Sequence, residues 1–229
     1  LIDGNNNIAD GYRVDADFVW PSAVAYDPQG NITISDEGNN TITTITLKGE
    51  VVGRWGVSGK GYGELNRPGS IAYGPEGFLY VSDTYNHRVQ IFQNDGSFVR
   101  SFGQFGNSDE DLNNPWGINV DAHGFIYVAD WGNNRLQKFD SEGKLILSFG
   151  RLGDGDGEFN HPSGVTVDSD GDIYVTDWGN HRVQLFNAEG KFVEEFRGDS
   201  ILSKQAKNYM ITNIVAMRLR EMTPIEPQK

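Results

Sequence analysis

"YVSDTYNHRVQIF" (residues 80–92), "YVADWGNNRLQKF" (127–139) and "YVTDWGNHRVQLF" (174–186) are one phrase written three times. Each copy joins two short runs rich in β-branched and aromatic residues through a turn carrying aspartate, glycine or asparagine, which reads as two antiparallel strands. Working outward, four prolines anchor the repeat: Pro21, Pro68, Pro115 and Pro162 stand 47 residues apart. An apolar residue precedes each by three places (Phe18, Leu65, Leu112, Phe159), and an aspartate follows each by fifteen (Asp36, Asp83, Asp130, Asp177). No insertion disturbs this register. The first unit, "TISDEGNNTITTI" (33–45), departs from it, with Thr41 where the others have Arg88, Arg135 and Arg182, and Thr43 where they have Gln90, Gln137 and Gln184. End repeats are often atypical.

Every unit holds four strand-like stretches. In the last they are "GVTVD" (164–168), "DIYVTD" (172–177), "RVQLF" (182–186) and "KFVEEF" (191–196), separated by "SDG", "WGN" and "AEG". Four short antiparallel strands in a unit of about 45 residues are the pattern of a β-propeller blade. One four-stranded sheet cannot bury both faces, and stacked blades can. The expected fold is therefore all-β.

The three phrases resemble the NHL repeat, named after an Asn-His-Leu run at this place in its motif. The resemblance covers about residues 12–198 and implies a propeller, most often of six blades. Only four are visible here, anchored near residues 21, 68, 115 and 162. A fragment or an assembling arc is expected in preference to a closed four-bladed ring. An open arc exposes two apolar blade faces and should self-associate, so its mass in solution should exceed 25.4 kDa. Residues 1–198 are assigned to the blades. Residues 199–229 are assigned to a separate segment, because "DSILSKQAKNYMITNIVAMRLREM" (199–222) reads as a helix capped by Asp199 or Ser200.

Composition narrows the function. The chain of 229 residues has no cysteine, which excludes disulfides and thiolate chemistry. A net charge of −13 with no Lys/Arg cluster argues against nucleic-acid partners. No apolar run is long enough for a transmembrane helix, and no signal peptide is visible. "NIT" (31–33) and "NNT" (39–41) are sequons that matter only in a secretory pathway. They name no compartment, and the expectation leans to an extracytoplasmic one.

Candidate site residues follow from the repeat. Strand a of a blade runs along the axis and strand b returns beside it. The b–c loops therefore share one face of the disc with the segments before each proline. Residues repeated in register serve the blade most economically. The repeated aspartates are expected to accept N–H groups of the following loop, and the repeated arginines to pair with carboxylates or carbonyls between blades. His87 and His181 are read as scaffold with them. Residues that break the repeat are the binding candidates: Trp20, Arg67 and His161 before the proline, Trp116 after it, and Tyr85, Trp131 and Trp178 in the b–c loops. Tryptophan, tyrosine and arginine are enriched at binding hot spots.

The acidic stretches "DGDGE" (154–158) and "DSDGD" (168–172) lack the glycine spacing of a helix-loop-helix calcium site, and read as loop and turn. No G-x-S-x-G or H-E-x-x-H is present. Peptide-amidating lyases resemble NHL proteins and carry zinc-binding histidines at the start of inner strands. That resemblance points here to Ser22, Gly69, Trp116 and Ser163, none of them histidine. Catalytic residues, metal ligands and cofactors are accordingly not assigned. The expected function is a non-enzymatic scaffold binding a protein or peptide on the b–c loop face. The alternative is a metal-dependent hydrolase or lyase on a related propeller.

Overall fold

A computed structural model describes residues 17–198. The helix and boundary expected beyond Gly198 lie outside them. Four sheets follow one another, each of four strands in sequence order, a to d. Blade 1 comprises Pro21–Tyr26, Ile32–Asp36, Thr41–Ile45 and Val51–Trp55. Blade 2 comprises Pro68–Tyr73, Leu79–Asp83, Arg88–Phe92 and Phe98–Phe102. Blade 3 comprises Pro115–Val120, Ile126–Asp130, Arg135–Phe139 and Leu145–Phe149. Blade 4 comprises Pro162–Val167, Ile173–Asp177, Arg182–Phe186 and Phe192–Arg197. Each proline begins a strand, where its missing N–H is tolerated, and pairs with the repeated aspartate that ends strand b. The chain is thus a four-bladed β-propeller array.

The period of two along each strand sends alternate residues to opposite blade faces. Ile126 and Val128 pack toward blade 2, whereas Tyr127 and Ala129 pack toward blade 4. Three cores result, between blades 1 and 2, 2 and 3, and 3 and 4. The a strands pack on one another in that order. No core joins blade 4 to blade 1 among the described residues. Val24 and Tyr26 of blade 1 are 69% and 68% exposed, while Ile71, one unit on from Val24, is 5% exposed.

Each connection between blades is clamped by the repeated polar residues. Asp130 is fully buried and accepts the Asn113 N–H at 2.7 Å, Asn133 Nδ2 at 2.8 Å and Arg135 Nε at 2.8 Å. Gln137 Nε2 reaches the same carboxylate at 3.3 Å. Nη2 of Arg135 donates to the Ser108 and Asp111 carbonyls at 2.9 and 2.8 Å. Asp83 with Arg88 and Asp177 with Arg182 repeat the arrangement. This corrects two expectations. In blades 2–4 the backbone donor to the aspartate comes from the preceding connection, because the aspartate ends strand b beside the incoming proline segment. The arginine's carboxylate partner lies in its own blade, since residues five apart across the b–c turn face one another, whereas its carbonyl partners lie, as expected, in the connection between blades. Only Asp36 of blade 1 also accepts N–H groups from its own loop, those of Gly38 and Asn39.

The clamp also accounts for the departures in blade 1. Without an arginine or glutamine, Asp36 takes the N–H groups of both Val19 and Trp20, at 2.8 and 2.9 Å. Burial opposes its ionisation, yet the donors Trp20, Val19, Asn39 and Gly38 outweigh it and hold the carboxyl below the usual range. For Asp83 and Asp130 burial wins and pushes the carboxyl up, against the pull of their donors. The acidic connection residues are occupied in a similar way. Glu158 accepts the Gly155 N–H and pairs with Arg151, and Asp111 accepts the Ser108 N–H. In "DSDGD", Asp168 accepts the N–H groups of Asp170 and Asp172, so this stretch is the a–b turn.

Candidate functional site: a tryptophan cup on the b–c loop face

The b–c loops of blades 2–4 are single 3-10 turns, Thr84–Asn86, Trp131–Asn133 and Trp178–Asn180. Each is closed by a left-handed residue: His87, Asn134 and His181 have φ of 56°, 54° and 54°. Asparagine and histidine enter this region more readily than most residues. In blades 1–3 the side chain at this position, which in blade 1 is Asn40 with φ of 57°, bonds to the next blade. Asn40 Oδ1 accepts the Arg67 N–H at 2.7 Å, His87 Nδ1 accepts that of Asn114 at 3.1 Å, and Asn134 Oδ1 accepts that of His161 at 2.9 Å. The motif histidine is therefore an acceptor staple between neighbours, in keeping with the scaffold reading.

That bond requires an unprotonated Nδ1. Burial pushes the His87 pKa below its ordinary value of 6.5, against the raising pull of Asp130 and Asp83. Its folded value lies below its unfolded one, so the stabilisation is complete above about pH 6.5 and is lost as pH falls through the lower folded value. His87→Asn, which puts the blade 3 residue in its place, should keep the bond and reduce the loss of thermal stability between pH 7.5 and 5. An identical pH slope in parent and variant melts would contradict this.

The candidate residues fall into two clusters. At the seam of blades 1 and 2, the Arg67 guanidinium lies 5.0 Å from the ring centres of both Trp20 and Tyr85. At the seam of blades 3 and 4, Trp131 packs against His161 with ring centres 4.1 Å apart and planes tilted by 43°, and Trp116 stands 6.3 Å from Trp131. Trp116, Trp131 and Trp178 line a cup of about 390 Å³ together with Ser163. Two of its lining residues are brought together by a close approach of the a strands. A Cβ on Gly117 would come within 2.7 Å of Gly164 Cα and 2.8 Å of the Ser163 carbonyl oxygen, so backbone meets backbone there. Trp116 and Ser163, the residues after two successive prolines, thereby become neighbours.

Ser163 entered the sequence reading only as a comparison position. Its hydroxyl lies 3.1 Å from that of Thr176 and gives the cup its polar edge. The signal for it was faint: a small residue beside a glycine, in register with Trp116. Thr84, which stands where blades 3 and 4 carry tryptophan, is buried and donates to the Pro115 carbonyl at 2.8 Å. Glu37 occupies that position in blade 1 and accepts from Ser22. The loops thus diverge at one position, and only the last two turn an indole toward the cup. Trp178 remains 64% exposed.

Chemically, the cup offers π faces and a hydroxyl pair. Its titratable neighbours are engaged: Asp130 and Asp177 with their arginines, and His161 Nδ1 at 2.7 Å from Asn160 Oδ1. No group of three or more His, Asp or Glu that could hold a metal ion occurs among the described residues. No helix among them is long and apolar enough to cross a membrane.

The NHL repeat matches residues 65–92, 112–139 and 159–186. No curated protein matches the chain. Among solved structures, a catalytically inactive virginiamycin B lyase from Staphylococcus aureus with Quinupristin is similar at a TM-score of 0.61 and 18% identity, over 78% of this chain and 56% of that one. Kuenenia stuttgartiensis hydrazine synthase is similar at 0.59 and 21% identity, over 82% and 52%. A Bacteroides caccae protein of unknown function is similar at 0.59 and 17%, over 77% and 66%. At these identities the likeness concerns the fold, and the chain spans less than two thirds of those proteins' lengths. With three motif copies in register on the blades they build, the chain belongs to the NHL-repeat β-propeller family.

Proposed function

We propose that the chain is a non-enzymatic binding scaffold. It holds a peptide segment of a protein partner across the b–c loop face, with the tryptophan cup taking one apolar or aromatic side chain. The observation that carries this is the convergence of Trp116, Trp131 and Trp178 on one cup, at positions the repeat leaves free to vary. Rigid, partly exposed indoles are common anchors of binding energy, and the cup volume suits a side chain with its flanking backbone. The carboxylates and guanidinium groups nearby are held in the blade clamps, which favours binding over reaction. The Trp20–Arg67–Tyr85 sandwich, on the same face, would contact a longer partner.

Peptides selected from a displayed random library against the 229-residue chain provide the test. Their affinity should fall at least tenfold, about 1.4 kcal/mol, in Trp131→Ala and in Trp178→Ala. The melting temperature of Trp178→Ala should stay near that of the parent, because the ring is largely exposed. Peptides that bind both variants as tightly as the parent would sink the proposal.

A further inference from the structure

The three internal blade contacts each join a trailing face to a leading face, and among the described residues one of each is left unmatched. On the trailing side of blade 2, Tyr80, Val89 and Ile91 are buried against Ile118, Ile126 and Val128 on the leading side of blade 3. Two units after them come Tyr174, Val183 and Leu185 of blade 4, which are only half-buried. Thr166 and Thr176 are exposed there, although their counterparts Ala72 and Ser82 are buried. On blade 1 the leading face shows Val24, Tyr26 and Val51, at 69%, 68% and 41% exposure. Both faces leave apolar side chains uncovered among the described residues, and by the repeat they are the two halves of a contact the chain already makes three times.

We infer that the trailing face of blade 4 docks on the leading face of blade 1 in a second copy of this chain, continuing the internal blade packing. The contact is heterologous, since each copy contributes a different face. Two copies pairing reciprocally make eight blades, at the upper end of the roughly four to eight that propellers use. One internal feature is not reproduced. Trp20, the counterpart of Arg67, already gives its N–H to Asp36, so His181 has no such donor to accept from. The new contact therefore rests on apolar packing, and it should strengthen with salt, which screens the −13 charge of each copy.

Sedimentation of the 229-residue chain should give a mass above 25.4 kDa that rises with protein concentration. Val24→Asp with Tyr26→Asp should disable the leading face, and Thr166→Arg with Thr176→Arg the trailing face. All four positions are exposed in the single chain, so circular dichroism should show each variant folded. Each variant alone should be monomeric. Mixed in equal amounts, they should form a dimer of about 51 kDa through the one surviving pair of faces, an outcome a face-to-itself contact cannot give. A parent that stays monomeric at high concentration and high salt would overturn the inference. So would assembly that survives in both variants, or a mixture that remains monomeric.

Discussion

Arg135→Met should destabilise the chain by about 3–5 kcal/mol, the cost of breaking a buried ion pair from one side. For a domain of this size that lowers the melting temperature by roughly 10 °C. Asp130 would keep Asn113, Asn133 and Gln137 but lose its paired cation, while remaining fully buried. The Ser108 and Asp111 carbonyls would lose a donor in the same step. Blade 3 is the place to measure this. It has a neighbour on each side, so local fraying of an end blade cannot absorb the defect. Arg151→Met is the matching control. Arg151 pairs with Glu158 at 2.7 Å, but its side chain is 81% exposed, and loss of such a pair should stay within about 1 kcal/mol. Equal melting temperatures for the two variants would refute the clamp.

A loss of similar size, about 3–5 kcal/mol, is expected from Phe139→Ala. The ring is fully buried between blades 2 and 3, with the Phe102 ring centre 4.8 Å away. Its removal leaves a cavity that two rigid sheets cannot close. The same register position in blade 1 is Ile45, half-buried on the leading face, and Ile45→Ala should cost well under half as much in urea melts. A comparable cost at both positions would mean that the leading face of blade 1 is as tightly packed as the internal ones.

Much of this molecule was legible in its sequence because the repeat supplies its own control. Residues that recur at fixed offsets from Pro68, Pro115 and Pro162 proved to be the clamp. Their spacing is the spacing of strand ends across a tight turn, a local property. The partners of the clamp were less legible. The Asn113 N–H and the Ser108 carbonyl belong to a connection seventeen or more residues before their partners, and nothing in the motif distinguishes a donor there from one in the adjacent loop. The candidate residues were picked one by one as departures from the repeat. Their division into an arginine sandwich and a tryptophan cup depends on which blades are neighbours. Ser163 became visible as part of the cup only once Gly117 and Gly164 were seen to let two backbones touch.

By itself the sequence determined the blade: four strands, the turns between them, and the aspartate, arginine and glutamine set at fixed offsets from the proline. These follow from periodicity, turn chemistry and hydrogen-bond satisfaction within about 45 residues. Tertiary structure alone decided what the blades do together. It placed Trp116, Trp131 and Trp178 around one space, engaged Thr84 in a structural bond, and left Val24 and Tyr26 exposed among the described residues. A repeat carries the same local instructions in every copy. What differs between copies is which faces meet, and that is fixed only when the sheets are packed side by side.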